Sequence, residues 1–141
     1  MQMWWQNTVN TESVNSLNDV TLLTGTADNC GELVKVGILT VSDRASRGEY
    51  DDEGGPAILE FFKEAIASPV EVYYSCVADE LQEIESELIR LCDTLSCSII
   101  VTTGGTGPAQ RDVTPEATTA VCERILDGFG EQMRAISLQY V

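Results

Sequence analysis

Apolar positions in this chain follow two alternating rhythms. Leu33 to Ser42 (LVKVGILTVS) is nearly continuously apolar after Lys35, the pattern of a central strand buried on both faces. From Pro56, the apolar residues Ile58, Leu59, Phe62 and Ile66 keep helical spacing until Pro69 ends the segment. Val70 to Val77 returns to period two, with Val70, Val72, Tyr74 and Cys76 on one face. Leu81, Ile84, Leu88, Leu91 and Leu95 then mark a second helix, and Ser98 to Thr102 a short buried strand. Two helical segments follow, about Pro115 to Leu126 and Phe129 to Gln139, separated by Gly128. Strand–helix units in this order predict an α/β domain with a parallel, doubly wound sheet and helices on both faces.

That pattern starts at residue 33. Residues 1–32 are polar and rich in Asn, Thr and Ser, and read as a flexible N-terminal extension to a domain over 33–141. The first 34 residues contain no Lys or Arg, which fits neither a secretory signal nor a mitochondrial presequence. No run approaches the ~20 apolar residues needed to span a bilayer. The expectation is a cytoplasmic protein without membrane contact.

Composition narrows the chemistry. Eight basic residues stand against 23 acidic ones, for a formal net charge of −15. No basic face for nucleic acid can be assembled from so few cations, so nucleic acid is excluded as a partner. An anionic substrate would need local positive charge, for which Mg²⁺ is the obvious supplement. There is no histidine, and five cysteines show no C-x-x-C spacing. A zinc site and every His-based nucleophile system are thereby disfavoured. The cysteines read as reduced, mostly buried thiols. Any chemistry must run on carboxylates, metal and backbone dipoles.

The strongest local signal is SIIVTTGGTGPAQRDVTP, Ser98 to Pro115. A strand runs into Thr103, Gly104, Gly105, Thr106 and Gly107, whose glycines permit positive φ and close approach of a ligand to peptide N–H groups. Arg111 and Asp112 follow, and Thr114 and Pro115 read as N-cap and first residue of a helix. No Gly-Lys-Ser/Thr follows, so this is not a P-loop, and Gln110 breaks a dinucleotide fingerprint. What remains is a phosphate-binding edge of an α/β sheet.

Ligands in such sheets bind beyond the carboxyl ends of the strands. Three polar clusters fall there: Ser42-Asp43-Arg44, Asp79-Glu80 and the Gly104 to Asp112 loop. Each also has a purely structural explanation. Asp79 with Gln82 resembles a capping box, Asp112 could be a turn residue paired with Arg111, and Ser42-Asp43-Arg44 could be an ordinary strand-to-loop turn. Arg111 either contacts a phosphate or buttresses the loop. Taken together, Asp79 and Asp112 at one phosphate-binding mouth can hold Mg²⁺.

VSDRASRGEYDDEGGPAI, VADE, VTTGGTGPAQRDVTPEAT and GFGEQMRAIS occur in order. With these motifs the sequence, from about Leu33 to Val141, resembles the molybdopterin adenylyltransferases of molybdenum-cofactor synthesis. It resembles their MogA type, also seen as the G domain of gephyrin, more than the MoaB type or the competence-damage proteins. The resemblance implies a three-layer α/β/α fold around a mostly parallel sheet, usually trimeric. It implies a nucleotidyltransferase that adenylates molybdopterin with Mg-ATP, releases pyrophosphate and hands its product over to a molybdate-inserting enzyme. By motif, Asp112 and Asp79 match the family's two essential aspartates and would be its Mg²⁺ ligands. Gly104 to Gly107 with Thr103 and Arg111 would cradle nucleotide or pterin phosphates, beside Ser42, Asp43 and Arg44. Two departures stand out: Ala78 replaces the usual proline before Asp79, and the family's later segment with an Asn-Leu-Pro-Gly-type loop is missing, which reads as truncation at the C-terminal end. That absence sets a second expectation beside the enzyme, a non-catalytic pterin-binding or trimer-forming module or an inactive fragment.

Overall fold

The structure, a computed structural model, describes residues 20–23 and 31–140. Its centre is a four-stranded sheet in the order β1-β3-β2-β4, with β1 Val20–Leu23, β2 Val34–Val41, β3 Val70–Val77 and β4 Ile99–Thr103. β2 is parallel to both neighbours, pairing Val34↔Val70 through Val41↔Val77 on one side and Val36↔Ile99 through Thr40↔Thr103 on the other. β1 is antiparallel to β3, with Val20 opposite Tyr73. Among the described residues five helices follow the strands: α1 Asp43–Ser46, α2 Gly54–Ala65, α3 Leu81–Ile89, α4 Thr114–Val121 and α5 Asp127–Ser137.

Alternation along β2 explains the layering. Val36 and Ile38 point to one face, where Phe62, Ile58, Leu59 and Ile66 of and beside α2 cover them with Val70 and Val72 of β3. Leu39 and Val41 point to the other, against Ile84, Leu88 and Leu91 from α3 and its continuation and Ala117 from α4. A strand buried on both faces must be apolar at nearly every position, as β2 is. The result is the expected three-layer α/β/α arrangement with a mostly parallel sheet.

Several local expectations are corrected. The flexible extension assigned to 1–32 contains a paired strand, β1, which satisfies the outer edge of β3; the remainder of that assignment, 1–19 and 24–30, lies outside the described residues. Helix α2 begins at Gly54 rather than Pro56, because the Asp52 carboxylate receives the N–H groups of Gly54 and Gly55. Helix α3 ends in a π turn over Arg90–Thr94, closed by Leu95 N–H donating to Arg90 O, and Ser96 then takes φ 57°. Helix α4 stops at Val121 instead of reaching Leu126, with Cys122 extended. Thr118 and Thr119 return their hydroxyls to the carbonyls of Thr114 and Pro115, a pattern that weakens short helices. The thiols are less buried than expected. Cys92 and Cys122 are exposed and Cys76 and Cys97 half-buried, since Leu91 takes the inward position of the π turn and Cys122 falls past the end of α4; Cys30 lies outside the described residues.

Leu39 is fully buried in the α3–α4 layer. Leu39→Ala is expected to lower the unfolding free energy by about 2–5 kcal/mol, read as an earlier urea midpoint with unchanged slope.

Candidate functional site

The carboxyl ends of β2, β3 and β4 open into a cleft of about 630 Å³. Parallel strands deliver their ends to one edge, so three segments distant in sequence meet there. Ser42, Asp43 and Arg44 come from the end of β2, Asp79 from the end of β3, and Thr103, Gly104, Gly105 and Asp112 from β4 and its loop. Thr106, Gly107 and Arg111 do not line the cleft.

Two aspartates cross-brace the β2 and β3 ends. Asp43 N–H donates to Asp79 Oδ2 at 2.7 Å, and Asp79 N–H donates to Asp43 Oδ1 at 3.1 Å. Asp79 is therefore not a helix cap: the residue before α3 is Glu80, whose side chain caps nothing. Arg111 closes the assembly from outside. Its Nε and Nη2 donate to both oxygens of Asp43 at 2.9 and 3.0 Å, and Nη2 also reaches Glu80 Oε1 at 2.8 Å. Arg111 thus pairs with residues of the β2 and β3 ends. The guanidinium holds the Asp43 carboxyl below the usual carboxylate range. Asp43 and Glu80 in turn raise the guanidinium above its ordinary value. Asp112 does not pair with Arg111; its Oδ2 accepts the Ala109 N–H at 3.0 Å, folding the loop back so that its carboxylate lines the cleft.

The glycine loop has no room for side chains where it turns. Gly104 sits at φ +89°, and a Cβ there would lie 2.1 Å from Val41 O. At Gly105, φ +58°, a Cβ would lie 2.4 Å from Thr114 Oγ1 and 3.0 Å from Asp79 Oδ1. Thr114 is the first residue of α4 rather than its cap; its hydroxyl donates to Gly104 O and its N–H to Gly105 O, pinning the loop to the helix. Ser42 does cap a helix, accepting the Ala45 N–H, and its hydroxyl lies 3.1 Å from Tyr50 Oη. The Arg44 guanidinium stands 5.1 Å from the Tyr50 ring centroid.

The cleft has a wall absent from the candidate site residues: Thr40, Arg47, Tyr50, Asp52, Glu53 and Gly54 also line it. Asp52 is its anchor, accepting from Thr40 Oγ1 and Tyr74 Oη, each at 2.8 Å, besides the two glycine N–H groups. An aspartate two residues before a glycine at a helix start is a recognisable side-chain turn, and that signal was present in the sequence. Burial and Asp52 push the Tyr74 hydroxyl strongly upward, so it remains a donor, and burial with the charge of Asp52 raises the Cys76 thiol.

Comparison with known proteins agrees with this architecture. Residues 37–141 match the family described as the probable molybdopterin binding domain, and the chain belongs to that family. It is 54% identical over 110 residues to the molybdopterin adenylyltransferase of Helicobacter pylori, covering 78% of this chain and 62% of that protein. To the Escherichia coli molybdopterin adenylyltransferase it is 50% identical over 108 residues, covering 77% and 55%. The chain thus spans about three-fifths of the length of the curated relatives it matches. Among solved structures, the molybdopterin biosynthesis enzyme MoaB of Thermus thermophilus superposes with a TM-score of 0.66 at 41% identity, over 73% of this chain and 64% of that one.

Arg111→Ala removes the cation that lowers the Asp43 carboxyl. A lowered folded value stabilises above the unfolded value and is lost as pH falls through the folded one, so the variant lacks the share of this stability that Arg111 supplies and its Asp43 carboxyl protonates at a higher pH. Carboxyl-carbon NMR titration of Asp43 checks it: the Asp43 midpoint moves up in the variant.

Proposed function

We propose that this protein transfers the adenylyl group of ATP to molybdopterin. In this reading a terminal phosphate oxygen of molybdopterin attacks the α-phosphorus of ATP. A new P–O bond forms, the bond from the α-phosphorus to the α,β-bridging oxygen breaks, and pyrophosphate leaves with that electron pair. The observation that carries it is the convergence of Asp79, Asp112 and the Gly104–Gly105 loop on one cleft at the strand ends. The names of the curated relatives support the same activity.

The chain's own residues suit a transfer that depends on positioning more than on proton removal. The tight turn at Gly104 and Gly105 lets phosphate oxygens approach the backbone without Cβ obstruction. Arg44 and Arg47 are the cations that line the cleft, Arg47 already paired with Glu49, while Arg111 is committed to Asp43 and Glu80. The donor set also fits magnesium. Asp79 and Asp112 present hard carboxylate oxygens, and among the described residues no group of three or more potential ligands forms a closed cage. An ion of this kind takes one or two carboxylates and completes its shell with substrate phosphates and water. Asp79 and Asp112 would hold it, and when bound it neutralises phosphate charge. Asp79 is kept in place by Asp43, and Asp112 by the Ala109 N–H.

The same reading has the protein acting as a cytoplasmic homotrimer that passes its product to a molybdate-inserting enzyme. Self-association is supported by α5, where Phe129 is 73% exposed and Met133 69%, with Ile136 on the same stripe. Among the described residues no helix is long and apolar enough to cross a membrane.

Mixing the protein with molybdopterin, ATP and MgCl₂ is expected to yield pyrophosphate and adenylated pterin in equal amounts. Asp112→Ala should lower the rate by about 100-fold or more, the scale on which loss of a charge-stabilising group acts in such sites. Pterin binding by a folded protein without any pyrophosphate would replace this reading with a non-catalytic binding module.

A further inference from the structure

The wall of the cleft opposite the glycine loop is held by side chains. After Glu49 N–H bonds to Arg44 O, no backbone–backbone bond outside the helices fixes the segment until Ala57 N–H reaches Glu53 O. Tyr50 hangs on Ser42 at one end of this stretch, and Asp52 ties down the other. Asp52 gathers four donors from three elements: Thr40 of β2, Tyr74 of β3, and the Gly54 and Gly55 N–H groups of α2.

A carboxylate can do this. Both of its oxygens accept, Oδ2 from Thr40, Tyr74 and Gly55 and Oδ1 from Gly54, whereas an amide has one acceptor oxygen and a donating NH₂. Gly54 N–H uses Oδ1 and Gly55 N–H uses Oδ2, so an asparagine in either orientation sets its NH₂ against a peptide N–H. Gly55 packs tightly beneath it: a Cβ there would lie 2.3 Å from Tyr74 Cε2 and 2.6 Å from Asp52 Oδ2, so no side chain fits at that position. The hydroxyls of Thr40 and Tyr74 could rotate to accept, but the glycine N–H groups could not.

We propose that Asp52 is a positioning residue that sets the Tyr50–Gly54 wall of the cleft, and through it the affinity for the substrate seated there. It acts apart from Asp79, just past the end of β3, and Asp112, in the loop after β4, neither of which shares a hydrogen bond with it. The carboxylate also occupies the N-terminus of α2, so that end of the cleft is closed to phosphate, and phosphate is left to the Gly104–Gly105 side. The proposal rests on the adenylyl-transfer reading for its kinetic consequence and on geometry alone for its structural one.

Two measurements on Asp52→Asn, with Tyr74→Phe as a milder partner, test it. By steady-state kinetics, Asp52→Asn is expected to raise KM for ATP or molybdopterin about tenfold while kcat stays within about threefold, the signature of lost uniform binding. Tyr74→Phe, which keeps the carboxylate and both glycine bonds, should show a smaller rise in the same KM. By amide hydrogen exchange, Asp52→Asn should release protection at Gly54 and Gly55 while β2 and β3 keep theirs. A fall in kcat with both KM values unchanged overturns the proposal, as does exchange that rises equally through the sheet. If the parent protein shows no turnover, the adenylyl-transfer reading has failed and exchange decides alone: unchanged protection at Gly54 and Gly55 overturns the positioning role.

Discussion

Two aspartates that hold each other's backbone organise this molecule. Asp43 and Asp79 follow the paired ends of β2 and β3, where Val41 stands opposite Val77. Beyond that point the strands would diverge, and each new N–H would need a partner. The reciprocal hydrogen bonds supply those partners and lock the two chain exits together. Two carboxylates brought so close repel one another unless a cation is near. Arg111, from the loop after β4, meets that need and ties the third strand end to the other two.

The glycine loop depends on the same arrangement. Gly104 and Gly105 pass so near Val41 O, Thr114 Oγ1 and Asp79 Oδ1 that no side chain fits at either position. The loop is thus moulded against the β2 end, the Asp79 carboxylate and the first turn of α4 at once. Its shape is a property of the packed strand ends, and its closeness to Asp79 is what makes the cleft chemically coherent.

The opposite wall follows a different principle. There the chain lacks backbone pairing over a few residues, and one half-buried carboxylate substitutes for it by collecting donors from two strands and a helix start. One side of the cleft is therefore rigid through backbone geometry and the other through a single charged side chain. The two cores beneath, on either face of β2, keep both walls on a common base.

Much of this was legible in the sequence because it depends on periodicity. The continuous apolar run of β2, the alternation of Val70, Val72 and Tyr74, and the helical spacing of Ile84, Leu88 and Leu91 fixed the layers and the parallel order of the three main strands. Parallel order in turn predicted that Asp43, Asp79 and the glycine loop would share an edge. Pairings between side chains were not legible, since they depend on distances across strands. A cap and a cross-brace look alike at Asp79 in one dimension, and Arg111 beside Asp112 gives no hint that its partner is Asp43, 68 residues away. Thr114 reads as a cap until Gly104 is seen beneath it. β1 lay hidden because four residues in a polar stretch carry no period of their own; only the open edge of β3 makes them a strand. Sequence settled the three main strands, the helices that pack on them and the charged groups just past the strand ends, because burial dictates those patterns locally. Which of those groups bond to one another, and so which serve as braces and which face the cleft, was decided only when the sheet brought distant residues within hydrogen-bond reach.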